Sequence, residues 1–170
     1  SGDVDGIRVV EICLPYSNRD SFIQRSLTFL RFALKGIGIA MHTHYDLLFA
    51  TSTPLTAGIP GIAMRVCKPS RPFVFEVRDL WPELPREMGV IKNPLVLWAM
   101  GVLEWISYRT ANACIGLSPG IVDGIARRGV PRDRIAEISN GCDLDLFEFS
   151  SNTRQRPAGI SEDNLCAIFC

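Results

Sequence analysis

The sequence predicts an α/β fold built on a parallel, doubly wound sheet. Three observations predict it. Short apolar runs alternate with helical patterns from residue 46 to residue 139. Two helices open with a cap residue followed by proline, Asn93-Pro94 and Ser118-Pro119. The four strand ends, Thr51-Ser52-Thr53, Arg78-Asp79, Leu117-Ser118 and Ser139-Asn140-Gly141, are polar, and in such sheets ligands bind outside the carboxyl ends of the strands.

Along the chain, residues 1–6 read as a loop or an appended leader, and residues 7–12 as a strand, because they alternate and are rich in β-branched side chains. Residues 15–20 form a turn. Ser21 caps a helix running to residue 40, with Ile23, Leu27, Leu30, Leu34 and Ile37 on one face. Gln24, Thr28, Arg31 and Lys35 lie opposite, and Gly36 and Gly38 weaken the last turns. Residues 45–50 are a buried strand that opens into the polar loop 51–54. Residues 55–66 make a small Gly- and Ala-rich helix suited to close packing on a sheet. Residues 73–77 are a second buried strand, and 80–90 a Pro-rich loop. The helix from Pro94 to about residue 109 is apolar almost all round. Residues 113–117 are a third strand, and the helix after Ser118 ends at Gly129. Residues 134–138 are a fourth strand. Residues 150–164 read as a linker, and 165–170 as the first residues of a further apolar strand.

Composition narrows the function classes. With 170 residues, 47% hydrophobic and 21% charged, the chain can bury a core without disulfides. Net charge is zero, so no global basic field attracts nucleic acid. Fifteen of the 18 Lys+Arg residues are Arg. Arg suits bidentate phosphate or carboxylate contacts, but a base-composition bias of the gene is the plainer account. The six cysteines form no C-x-x-C pair, so free thiols in a reducing cytoplasm are expected. No signal peptide and no apolar run of membrane-spanning length is present.

Five motifs in order carry a resemblance. They are Ala50-Thr51-Ser52-Thr53-Pro54-Leu55, the run from Val74 to Glu83, Leu103-Glu104-Trp105 with Tyr108-Arg109-Thr110-Ala111, Leu117-Ser118-Pro119-Gly120, and Ile138-Ser139-Asn140-Gly141-Cys142-Asp143. Over residues 7–149 the chain resembles the N-terminal, acceptor-side domain of family-4 glycosyltransferases of the GT-B fold, which has two Rossmann-like halves. Enzymes of bacterial surface polysaccharides, including L-fucosamine transferases of O-antigen synthesis, look most similar. The resemblance implies a retaining transferase that moves a sugar from a nucleotide-sugar donor to a lipid-linked glycan acceptor, with no metal or other cofactor, in the cytoplasm or at the inner-membrane face. It implies residues 1–149 as a partial Rossmann-like domain and 165–170 as the start of a donor-binding domain. The pattern departs from the family in several places. The family's first strand and Gly-rich loop are absent ahead of residues 7–12, as is its paired-glutamate donor signature. Cys142 stands where Val is usual, and Ser139 where Pro is frequent. A chain truncated at both ends and inactive alone is therefore expected. Its strand 7–12 would pair wrongly, pair with another copy, or lack order, and unpaired strands would favour self-association. A non-catalytic binding or assembly module is the alternative.

Asp79, at the end of a hydrophobic strand, is the catalytic candidate. It would hydrogen-bond a sugar hydroxyl or take its proton; capping the following turn is the structural alternative. Arg78 would grip a diphosphate, or pair with Glu76 or Glu83. Thr51, Ser52 and Thr53 join them as substrate-binding candidates. Ser118 is a helix cap first and a ligand contact second. Asn140 and Gly141 would close the last strand or touch the donor. Glu104, on an apolar helix, would pair with an Arg, while Tyr108 and the tryptophans read as core. His42 and His44 form an H-x-H without a third ligand, so no metal site is expected. The helices over 21–40 and 93–109 raise a second hypothesis, an interfacial membrane contact with Arg25, Arg31 and Lys35, against plain packing on the sheet.

Overall fold

A computed structural model describes residues 2–17 and 19–141. The chain divides into two units, Ser1–Ser139 and Asn140–Cys170. Of the second unit, Asn140 and Gly141 alone are described, so the linker at 150–164 and the strand start at 165–170 lie outside the described residues.

The chain opens with a hairpin. β1 (Gly2–Val4) and β2 (Ile7–Val9) pair antiparallel. Asp5 and Gly6 both take positive φ, 52° and 78°, the two-residue turn whose twist matches its strands. Asp3 Oδ1 accepts the Gly6 N–H at 3.0 Å. Residues 2–4 are thus a strand, not a loop: the Asp-Gly pair is a hairpin signal. The strand expected over 7–12 shortens to 7–9 and stays out of the main sheet, pairing with the segment just before it.

α1 (Phe22–His42) begins with a full capping box: the Gln24 N–H donates to Ser21 Oγ at 3.3 Å, and the Ser21 N–H to Gln24 Oε1 at 2.9 Å. Its packing corrects the sequence expectation. Ile23 is 69% exposed and Leu34 58%, while Ala33 and Ala40 are buried. The small residues Ala33, Gly36 and Ala40 recur at helical spacing. A Cβ at Gly36 would come within 2.8 Å of Pro60 Cγ. Close approach to the next helix therefore selects the small face, and the large apolar one remains bare.

β3 (Leu48–Thr51) leads through a 3-10 turn at Leu55–Ala57 into α2 (Gly58–Cys67). β4 (Phe73–Val77) follows. The next segment contains a short helix, α3 (Glu83–Glu87), where a loop was expected. α4 (Pro94–Thr110) is capped by Asn93, whose Oδ1 accepts the N–H groups of Leu95 and Val96. β5 (Ala113–Gly116), α5 (Pro119–Arg127) and β6 (Ile135–Glu137) complete the described chain. Gly129 sits just past α5 with φ 86°, the left-handed stop expected of it.

β3, β4, β5 and β6 form a parallel sheet in sequential order. Phe73, Phe75 and Val77 of β4 are fully buried, clustered with Met64 of α2, Tyr108 of α4 and Ile125 of α5. Each such burial is worth roughly 1.5–3 kcal/mol. The helix α2 reaches β4 and α4 through glycine, since a Cβ at Gly61 would overlap the Phe73 ring of β4 and one at Gly58 would lie 2.6 Å from Ser107 Oγ of α4. The opposite row differs. Phe49 is 53% exposed, and its register partner Val74 is only partly covered. Right-handed crossovers stepping always in one direction put α2, α4 and α5 on the same side. A second winding needs a reversal of strand order, and the described strands contain none.

Candidate functional site

A parallel sheet places all its carboxyl ends on one edge. Here that edge carries Thr51, Val77, Gly116 and Glu137, with the loops that follow them. Ser52 sits one residue past β3 and is buried. Its N–H donates to the Glu76 carbonyl at 2.9 Å, and its Oγ accepts the Arg78 N–H at 2.9 Å. One short side chain therefore extends the ladder by one rung and fixes where β4 ends. Beside it, Thr53 Oγ1 donates to Asp79 Oδ2 at 3.3 Å. That bond engages Oδ2 of the Asp79 carboxylate.

Arg78 is exposed, with Nη1 3.9 Å from Glu76 Oε2. Of its two expected carboxylate partners, Glu76 is the nearer, because Glu83 turns to Arg128. Thr51 Oγ1 is buried with no hydrogen-bond partner among the described residues. The structure thus brings together Thr51, Ser52, Thr53, Arg78 and Asp79. Ser118 stands on the same edge through β5. Its Oγ accepts the Ile121 N–H at 3.4 Å, capping α5. Close packing supports that cap: a Cβ at Gly116 would meet Val122 Cγ2 at 2.8 Å. Asn140 and Gly141 are exposed at the start of the second unit.

A second polar cluster lies behind the segment after β4. Glu104 is 1% exposed. Arg128 Nε stands 2.7 Å from Glu104 Oε2, and Arg128 Nη2 stands 3.4 Å from Glu83 Oε1. The Tyr108 hydroxyl donates to Glu104 Oε1 at 3.0 Å. Burial pushes the Glu104 carboxyl up to about 7, outweighing the opposing pull of Arg128 and of the Tyr108 hydrogen bond. Burial and the Glu104 charge push the Tyr108 phenol far up, and burial raises the Cys114 thiol to about 11. Leu80 holds the strap of residues 80–91 in place by filling the notch at Gly124, and Pro82 lies over Gly101. A charged residue inside an apolar helical run was the signal for this cluster. It indicated an Arg partner for Glu104 without saying which.

Tyr108 is core as expected, and Trp81 is partly buried, but the other two tryptophans depart from expectation. Trp98 is 66% exposed and Trp105 47%, so neither is core. His42 Nδ1 lies 2.8 Å from the Gly38 carbonyl. No group of three or more His, Cys, Asp or Glu residues is placed to hold a metal ion among the described residues.

A parallel Rossmann-like sheet with a carboxylate, an arginine and hydroxyls at its carboxyl edge defines a class, the α/β domains that receive ligands at strand ends. Within that class, residues 2–141 match the family described as glycosyl transferase 4-like domain, and the chain belongs to that family. The match begins at the hairpin, five residues ahead of the resembling stretch. No curated protein matches the chain.

Proposed function

We propose that the chain is the acceptor-side domain of a retaining glycosyltransferase. It transfers a sugar from a nucleotide-sugar donor to a lipid-linked glycan acceptor in polysaccharide biosynthesis, at the cytoplasmic face of the inner membrane. The Thr53–Asp79 hydrogen bond carries this reading, since it orients a carboxylate at the strand edge for a sugar hydroxyl. Arg78, Thr53 and Ser118 line the acceptor side in this scheme, while Thr51 and Ser52, whose hydroxyls are buried, support the strand end behind them. Asn140 and Gly141 face the donor. The leaving diphosphate is stabilised by fixed N–H groups and cations of a donor-side domain, so the 170-residue chain alone transfers no sugar. No metal takes part, and chelators leave the rate unchanged.

The test is Asp79→Asn in the full gene product. Loss of a positioned proton acceptor lowers kcat by about a hundredfold or more, and an unchanged kcat/KM would remove Asp79 from the mechanism. Transfer by the 170-residue chain alone would refute the need for a second domain. The alternative, a non-catalytic assembly module, is favoured by the half-exposed sheet row of Phe49 and Val74, an apolar face against which a second copy of the chain packs.

A further inference from the structure

We propose that Arg128 clasps the strap of residues 80–91 through Glu83, and that ionisation of Glu104 loosens the clasp, making the strap a pH-sensitive cover beside the ligand edge. Arg128, just past α5, stands between two carboxylates on different elements. Its Nε is 2.7 Å from Glu104 Oε2 of α4, and its Nη2 is 3.4 Å from Glu83 Oε1 of the strap. All three line a cavity of about 240 Å³ with Leu80, Gly124 and Arg127. The strap supplies Leu80 and Glu83 to those walls, so lifting it opens the cavity to water. One cation thus serves two acids, and Glu104 is 1% exposed.

Burial decides the state of Glu104. Its Oε1 accepts the Tyr108 hydroxyl, but Oε2 accepts no hydrogen bond, although Arg128 Nε stands beside it. An anion held this poorly keeps its proton, and the carboxyl titrates at about 7. While Glu104 is neutral, Arg128 answers to Glu83 alone. Once Glu104 ionises, it competes for the same guanidinium and repels Glu83. Water entering beneath a lifted strap returns Glu104 toward the ordinary carboxylate range, so the ionised form favours the lifted strap. Opening therefore grows as pH rises toward about 7, and levels off above, where Glu104 is ionised under the closed strap as well.

The surrounding groups leave Glu104 as the trigger. The Tyr108 phenol is pushed far up and stays neutral, and the Cys114 thiol of β5 is raised to about 11. Arg127 in the cavity and Arg86 in the adjoining groove carry permanent charge. Asp123 of α5 pairs with Arg132, and Arg65 of α2 reaches the Thr110 carbonyl at the end of α4. β4 turns Phe75 and Val77 to this side of the sheet and Glu76 to the other. His42 and His44 sit at the carboxyl end of α1, outside this cluster.

The inference rests on the reading of Asp79 for its purpose, since the strap begins at the next residue. Strap opening is read without any sugar, so either can fail alone. The test is deuterium exchange of the purified chain from about pH 5 to about pH 9, with rates corrected for the intrinsic pH dependence of amide exchange. The amides of Leu84, Arg86 and Met88 bond within the strap. They are expected to exchange roughly tenfold faster above pH ~7 than at pH ~5, equivalent to one pKa unit of coupling. At every pH they outpace the amides of β4, which open with the whole fold. Glu104→Gln, neutral and still an acceptor for Tyr108, keeps the slow rate throughout. Glu83→Gln speeds strap exchange at pH ~5 by about two- to fivefold, as loss of a part-exposed ion pair requires. Strap exchange that stays flat with pH in the unaltered chain would overturn the proposal. So would a pH dependence that survives Glu104→Gln, or strap amides no faster than those of β4, which would assign the effect to global unfolding.

Discussion

Ser52 shows how much one hydroxyl can fix. Its Oγ satisfies the Arg78 N–H beyond the last rung of the β3–β4 ladder, which turns Asp79 toward Thr53. Ser52→Ala leaves that N–H without its partner at a buried position and is expected to cost ~1–3 kcal/mol in urea denaturation. Glu104 makes a different prediction. Its carboxyl titrates near 4.5 when unfolded and at about 7 when folded. Between those values the folded chain holds a proton that the unfolded chain has released, so stability falls as pH rises from about 4.5 to about 7 and levels off above. The full difference is on the order of 3 kcal/mol, and Glu104→Gln should flatten the slope in melts taken across that range. Asp79, Arg78 and the Thr-Ser-Thr run were legible because polar residues closing an apolar strand stand out. The bond of Ser52 to a backbone N–H was not, because no sequence pattern records which of three adjacent hydroxyls turns inward.

At the scale of elements, helix caps were the most legible, since capping chemistry is local, whereas strand ends shifted: 7–12 became Ile7–Val9 and 45–50 became Leu48–Thr51. Ser21, Asn93 and Ser118 all accept backbone N–H groups as their sequence positions implied. The orientation of α1 was not legible from periodicity. The spacing of Ile23, Leu27, Leu30 and Leu34 defines a face, but close approach to Pro60 is possible only where Gly36 and the two alanines lie. Glycine positions test this packing. Gly61→Ala drives a methyl into the Phe73 ring and should destabilise by ~1–3 kcal/mol. Gly38→Ala meets nothing within 4 Å and should stabilise α1 by up to ~1 kcal/mol. Thermal melts of the two variants moving in the same direction would contradict the placement of α2 against β4.

For the whole molecule, alternation of strand and helix sufficed to read a parallel α/β sheet, because βαβ units admit few arrangements. It could not tell whether helices cover one side or two, since that depends on strand order, and strand order leaves no local mark. The half-exposed row bearing Phe49 predicts concentration-dependent self-association in sedimentation velocity, weakened by Phe49→Lys. A monomer at all concentrations would mean that the row stays hydrated without cost.

The sheet also sets a rhythm for opening. β4 is bonded on both sides, by β3 and by β5, and its Phe73, Phe75 and Val77 are fully enclosed. β1 and β2 have only each other, and all their residues are exposed. Amide hydrogens of β4 should therefore trade with deuterium only when the entire fold comes apart, while those of the hairpin exchange in its own brief openings. Deuterium uptake at the first residues would then reveal nothing about the survival of the strand that leads to Asp79. A probe placed there would call the protein unfolded while the carboxyl edge of the sheet was still intact.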